Sequence, residues 1–182
     1  MKLIRSLSIT GTVINFISAV IYSVFALILA LGGTSTFFRL AGDSMNKVGT
    51  VDPNSPAGGF EVLAYLLGSG MSYFGGIIMF LAGLALFAAA LYQVPAIVTG
   101  FIANKRFKAC EDIEKCYRPY RNDGLVKSIM SGIVVAISVL AMGGDITAIT
   151  FKDLFPFLIF SWNHVIVLFL GIFQLIAVKR NQ

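Results

Sequence analysis

Charged residues interrupt this chain rarely, and they leave four charge-free runs at 6–38, 62–104, 128–144 and 154–178. A helix needs about 20 residues to cross about 30 Å of hydrocarbon. The first run therefore predicts one span at about 7–31, and the last fills one at 154–178. The third run is short. It predicts a span at 125–143, with Lys127 snorkelling out to the head groups.

The run at 62–104 has 43 residues and could hold two short spans. An even split would put the turn at Leu81-Ala82-Gly83-Leu84, which contains no Asn, Asp, Pro or charge. A bare turn there would leave backbone groups unsatisfied in lipid. One tilted helix at 73–103 is the better reading, with 62–70 lying at the outer interface. Pro95, close to Gln93 and Gly100, predicts a kink in its lower half. The pattern thus predicts an all-α integral membrane protein, a four-transmembrane-helix bundle whose second span has a helical cytoplasmic extension.

Composition agrees with this class. The chain is 57% hydrophobic and 13% charged, with a mean hydropathy of +0.85, whereas soluble domains run near 45–50% and about 25%. So little charge cannot cover a soluble surface, which excludes a soluble enzyme or a nucleic-acid partner. The net charge of +5 follows topology instead. With four spans, eleven of the 14 Lys and Arg fall on one side, leaving only Arg39, Lys47 and Lys152 on the other. That bias predicts a multi-pass protein of the cell membrane with both termini cytoplasmic. A five-span arrangement gives the same count, so turn chemistry, not charge, favours four. The first run is too long for a secretory h-region, which reads as an uncleaved span.

The outer loop at 32–61 carries Asp43, Asp52 and Glu61, but at no spacing that makes a metal loop. Cys110 and Cys116 lie together in the inner loop, far from the single His164, so neither a metal site nor a cofactor is expected. The inner stretch at 104–124 is more informative. Phe107, Cys110, Ile113 and Tyr117 recur at helical spacing, and Lys108–Asp112, Glu111–Lys115 and Glu114–Arg118 are i, i+4 charge pairs. An amphipathic cytoplasmic helix is predicted as far as Pro119, followed by a turn at Tyr120-Arg121-Asn122-Asp123-Gly124. Its apolar stripe is a candidate partner surface.

In the central part of each predicted span the polar residues are uncharged. Gly11, Asn15, Ser18 and Tyr22 form one helical stripe, and Asn163, Val167, Leu170 and Gln174 form another. Lipid offers amides no partners, so these stripes should face the bundle interior, with Asn15 beside Gln174. The candidate intramembrane polar core is Asn15, Tyr22, Gln93, Ser131, Asn163, His164 and Gln174. His164 is expected to be a neutral structural residue. Small residues recur at Ser128, Gly132 and Ala136, and at Gly76, Gly83 and Ala90, which permits close helix approach.

No nucleophile, base and oxyanion donor form a legible constellation, so no catalytic residue is assigned. The expected partners are the lipid bilayer and another membrane protein or a second copy. The expected function is that of a non-catalytic accessory, immunity-like or assembly subunit. The alternative is a small-solute or ion conduit lined by the amide, Tyr and His groups.

Overall fold

The computed structural model describes residues 1–52, 54–107, 113–141 and 151–181, apart from the side chains of 113–116, 141 and 151–160. Among the described residues all regular structure is helical: α1 (Lys2–Leu27), a π-helical segment (Ile28–Gly33), α2 (Thr34–Val48), α3 (Gly58–Tyr92), α4 (Val94–Phe107), α5 (Ile113–Ala141) and α6 (Phe151–Asn181). Four helical stretches are long and apolar enough to cross a membrane: Lys2–Val48, Gly58–Phe107, Tyr117–Leu140 and Ser161–Asn181. The chain divides into two compact units, Met1–Ala19 with Leu91–Gln182, and Val20–Ala90.

The unit Val20–Ala90 is a helical hairpin, and it departs from the sequence reading at both ends. Gly32-Gly33 does not open a loop. The helix widens there into the π segment and continues as α2 to Val48. Widening changes the carbonyl pairing, and nearby hydroxyls bond to carbonyls of this segment: Thr34 Oγ1 donates to Leu29 O at 3.3 Å, Ser35 Oγ to Gly32 O at 3.0 Å, and Thr36 Oγ1 to Gly32 O at 2.8 Å. What remains of the loop expected at 32–61 is 49–57, where Asp52 Oδ1 accepts from the Asn54 backbone N–H at 2.9 Å in an Asx turn.

Across the hairpin, 62–70 is not a separate interfacial piece. It is the first part of α3, which runs unbroken from Gly58. The buried positions Ser69, Gly76, Gly83 and Ala90 recur every seven residues and are all small. A Cβ on Gly83 would stand 2.9 Å from Ala26 O and 2.8 Å from the Ala30 methyl. This small-residue stripe therefore meets its own chain. Phe38 continues the seam, with its ring 5.6 Å from that of Tyr73.

In the other unit, α4 begins after a break at Gln93, two residues before Pro95, whose ring nitrogen offers no hydrogen to the helix. The inner stretch also differs from expectation. Residues 108–112 of the expected amphipathic helix lie outside the described residues; beyond them α5 runs through Pro119 and through 120–124, where a turn was expected. Tertiary contacts override the turn chemistry of Arg121-Asn122-Asp123-Gly124, because Tyr120, Asp123 and Gly124 are all buried. The α5–α6 crossing is close. A Cβ on Gly171 would meet Ser128 Oγ at 2.5 Å and Gly124 O at 3.0 Å. A small apolar cluster of Ile4, Ala103, Tyr117, Tyr120, Ala177 and Val178 closes the end that carries both chain termini.

Candidate functional site: a buried charged and polar core

Above that apolar cluster, the interior of this unit is almost wholly polar. Ser8, Thr12, Asn15, Ser18, Gln93, Asp123, Lys127, Ser131, Ser161, Asn163, His164 and Gln174 are all buried. The centre is Asp123, one helical turn before Lys127 on α5; both side chains are fully buried. Asp123 Oδ2 accepts from Lys127 Nζ at 2.8 Å, Ser8 Oγ at 2.7 Å and Gln174 Nε2 at 3.0 Å, and Oδ1 accepts from Thr99 Oγ1 at 3.2 Å. One carboxylate therefore collects a donor from each of α1, α4, α5 and α6.

Lys127 is used just as fully. Its ammonium has three protons and donates to Ser8 O at 2.7 Å, Thr12 Oγ1 at 3.0 Å and Asp123 Oδ2 at 2.8 Å. A second tier closes the network. Asn104 Nδ2 donates to Ser8 Oγ at 3.2 Å and Gly100 O at 2.8 Å, and the Tyr120 hydroxyl donates to Asn104 Oδ1 at 3.2 Å. The side chains around the network on the outer faces of the same helices are apolar: Ile9 and Val13, Val98 and Phe101, Leu125 and Ile129, Ile172 and Phe173. The ion pair thus sits inside an apolar belt, where a lone charge would be very unfavourable and a paired, fully bonded one is tolerated.

This corrects the sequence reading of Lys127. It does not snorkel, since its side chain has no exposure and its Nζ points into the bundle. Asp123, which turn chemistry places in a loop, is the hub. The pattern that could have found them is visible in the sequence: Tyr120, Asp123, Lys127 and Ser131 share one helical face at i, i+3, i+7 and i+11.

The residues named from sequence as a polar core, Asn15, Tyr22, Gln93, Ser131, Asn163, His164 and Gln174, are each buried. Tyr22 belongs to the hairpin unit and the rest to the four-helix unit. The Gln174 amide turns to α5, bonding Tyr120 O at 2.7 Å as well as Asp123, rather than to Asn15. Both amide atoms of Gln93 are buried with no hydrogen-bond partner among the described residues, as are Ser18 Oγ and His164 Nδ1. At the far end of the same core, Ser138 and Ser161 share a 2.7 Å hydrogen bond.

Of the residues named as a partner surface, Tyr117 is buried in the apolar cluster and Phe107 packs against it, so these two rings face inward. The Phe107 ring lies 5.8 Å from Tyr120 and beneath the Arg5 guanidinium. Cys110 and the side chain of Ile113 lie outside the described residues.

No protein-family model, curated protein or solved structure matches this chain.

Proposed function

We propose that this chain is an integral membrane protein with four spans and both termini in the cytoplasm. It acts as a non-catalytic accessory, immunity-like or assembly subunit, through a membrane-protein partner or a second copy. The observation that carries this reading is the closure of the Asp123–Lys127 network. The ammonium spends all three protons on protein acceptors, and the carboxylate takes four donors, three of them on Oδ2. A transport site must release and rebind its ion or proton, and a general base needs a free lone pair. Here the ammonium has no proton to spare, and the carboxylate is held against it by donors from four helices. The pair pins four helices and leaves their outer apolar faces, with a basic rim, as the surfaces that meet other molecules.

A specific observation favours a second reading. Gln93, Ser18 and His164 keep buried polar atoms without partners, which is what a solute-conducting layer would present. Flux into proteoliposomes decides between the two. The accessory reading expects proton, ion and small neutral-solute permeation equal to that of empty vesicles. Permeation that Gln93→Leu or His164→Leu abolishes would establish the conduit instead.

A further inference from the structure

Two hollows on α1 meet at Ile9. One, of about 200 Å³, lies between α1 and α4 and is lined by Ile9, Thr12, Val13, Phe16, Phe101 and Asn104. The other, of about 330 Å³, lies nearer the amino terminus and is lined by Lys2, Arg5, Ser6, Ile9 and Thr10. The first is apolar in effect, because its two polar side chains are already engaged. The Thr12 hydroxyl donates to Ser8 O at 2.7 Å, and the Asn104 amide donates to Gly100 O and Ser8 Oγ. The second is basic. The Arg5 guanidinium carbon stands 5.6 Å from the centre of the Phe107 ring, which fixes its place, and its buried Nε has no hydrogen-bond partner among the described residues. Among the described residues, no carboxylate pairs with Arg5 or Lys2.

We infer that these hollows together bind one anionic phospholipid of the cytoplasmic leaflet. The phosphate sits at Arg5 and Lys2, and one acyl chain runs past Ile9 along Val13, Phe16 and Phe101. The inference rests on the membrane reading given above. An arginine held by an aromatic face presents its remaining donors as a fork suited to phosphate oxygens. Two cations with no carboxylate paired to them among the described residues favour a net negative headgroup over a zwitterionic one. The apolar continuation at Ile9 favours a lipid over a free anion, which would fill the mouth and leave the groove empty.

The test uses the full chain, purified in detergent, stripped of lipid and titrated with phosphatidylglycerol or phosphatidylcholine of identical acyl chains. Native mass spectrometry counts the lipids retained. Wild-type protein should hold one phosphatidylglycerol about five-fold more tightly than phosphatidylcholine, the effect of roughly one basic residue at a membrane surface. Arg5→Gln should bring the two to parity, and Val13→Trp should expel both while leaving the charge in place. Arg121→Gln, on an exposed arginine away from the hollows, should change nothing. Should Arg5→Gln fail to give a monodisperse protein, Lys2→Gln carries the same comparison, since its side chain is exposed. Equal retention by the wild type, a preference that survives Arg5→Gln, or equal loss with Arg121→Gln would each overturn the site. So would displacement of the lipid by millimolar inorganic phosphate. Release of the protein from membranes by alkaline carbonate would instead overturn the membrane reading beneath it.

Discussion

The Ser8 hydroxyl and the Asp123 carboxylate, 115 positions apart in the chain, are joined by a 2.7 Å hydrogen bond. Through it the start of α1 reaches the centre of α5, and Lys127 ties the same two helices again through Ser8 O and Thr12. Cutting one strand of this knot leaves the others unsatisfied, which makes the consequences of substitution unequal.

Removing one member of the ion pair strands the other in an apolar belt. Asp123→Leu and Lys127→Met should each cost about 3–5 kcal/mol, whereas the double substitution should recover most of that loss. Thermal unfolding in detergent, followed for the two single variants and the double, measures the difference. Additive losses would mean that the two charges do not compensate each other.

Gly171 and Gly132 lie on facing helices, yet they should respond differently to an added methyl. At Gly171 the new carbon meets Gly124 O at 3.0 Å and Ser128 N at 3.1 Å, both backbone atoms that cannot step aside. At Gly132 the nearest neighbour is a Leu168 methyl at 3.7 Å, an ordinary contact. Gly171→Ala should lose about 1–3 kcal/mol by overpacking, and Gly132→Ala should change stability little. Equal melting temperatures for the two variants would contradict the close α5–α6 crossing.

How far the sequence foretold this arrangement depended on where each residue stood relative to the apolar runs. Asn15, Gln93, Asn163, His164 and Gln174 were legible because an amide or imidazole deep in a lipid-length run has nowhere to go but inward. Asp123 and Lys127 were not, for two physical reasons. A lysine at the edge of a run looks like an interfacial anchor, and Arg121-Asn122-Asp123-Gly124 has strong turn chemistry. Only contacts with Ser8, Thr99 and Gln174, remote in sequence, make the helix the better state. α2 was missed because Gly32-Gly33 reads as a stop, while the π segment carries the helix through it. Tyr117 and Phe107 share a helical spacing that suits a partner surface as well as an internal seal, and both rings pack against the bundle's own end.

Gln93 offers a direct comparison with the ion pair. Its amide is buried with no partner, so an apolar side chain of similar size relieves a desolvated group rather than breaking a bond. Gln93→Leu should leave stability unchanged or raise it by about 1 kcal/mol. A loss of 2 kcal/mol or more would mean that the amide is bonded to something, with bound water first among the candidates.

His164 should also tolerate replacement. His164→Gln keeps a polar group of similar reach, and the variant should express, insert and melt within about 1 kcal/mol of wild type. An activity that titrated near pH 6–7 and vanished in this variant would give His164 a chemical role instead.

Membrane-impermeant thiol reagents test the orientation. With 104–124 in the cytoplasm, Cys110 and Cys116 should stay unlabelled in intact cells and become labelled after lysis. Modification in sealed cells would reverse the topology.

On the membrane reading proposed above, the placement of Asp123 and Lys127 on one helix bears on how the chain would enter a bilayer. Partners four residues apart face each other as soon as the helix winds, before α6 has been synthesised. On that reading α5 would carry its own counter-ion through insertion, as a neutral dipole rather than two separate charges. Ser8, Thr12, Thr99 and Gln174 can then close around it in whatever order the helices arrive. Moving the aspartate to another helix could preserve the finished network and still stall the helix at the membrane's edge.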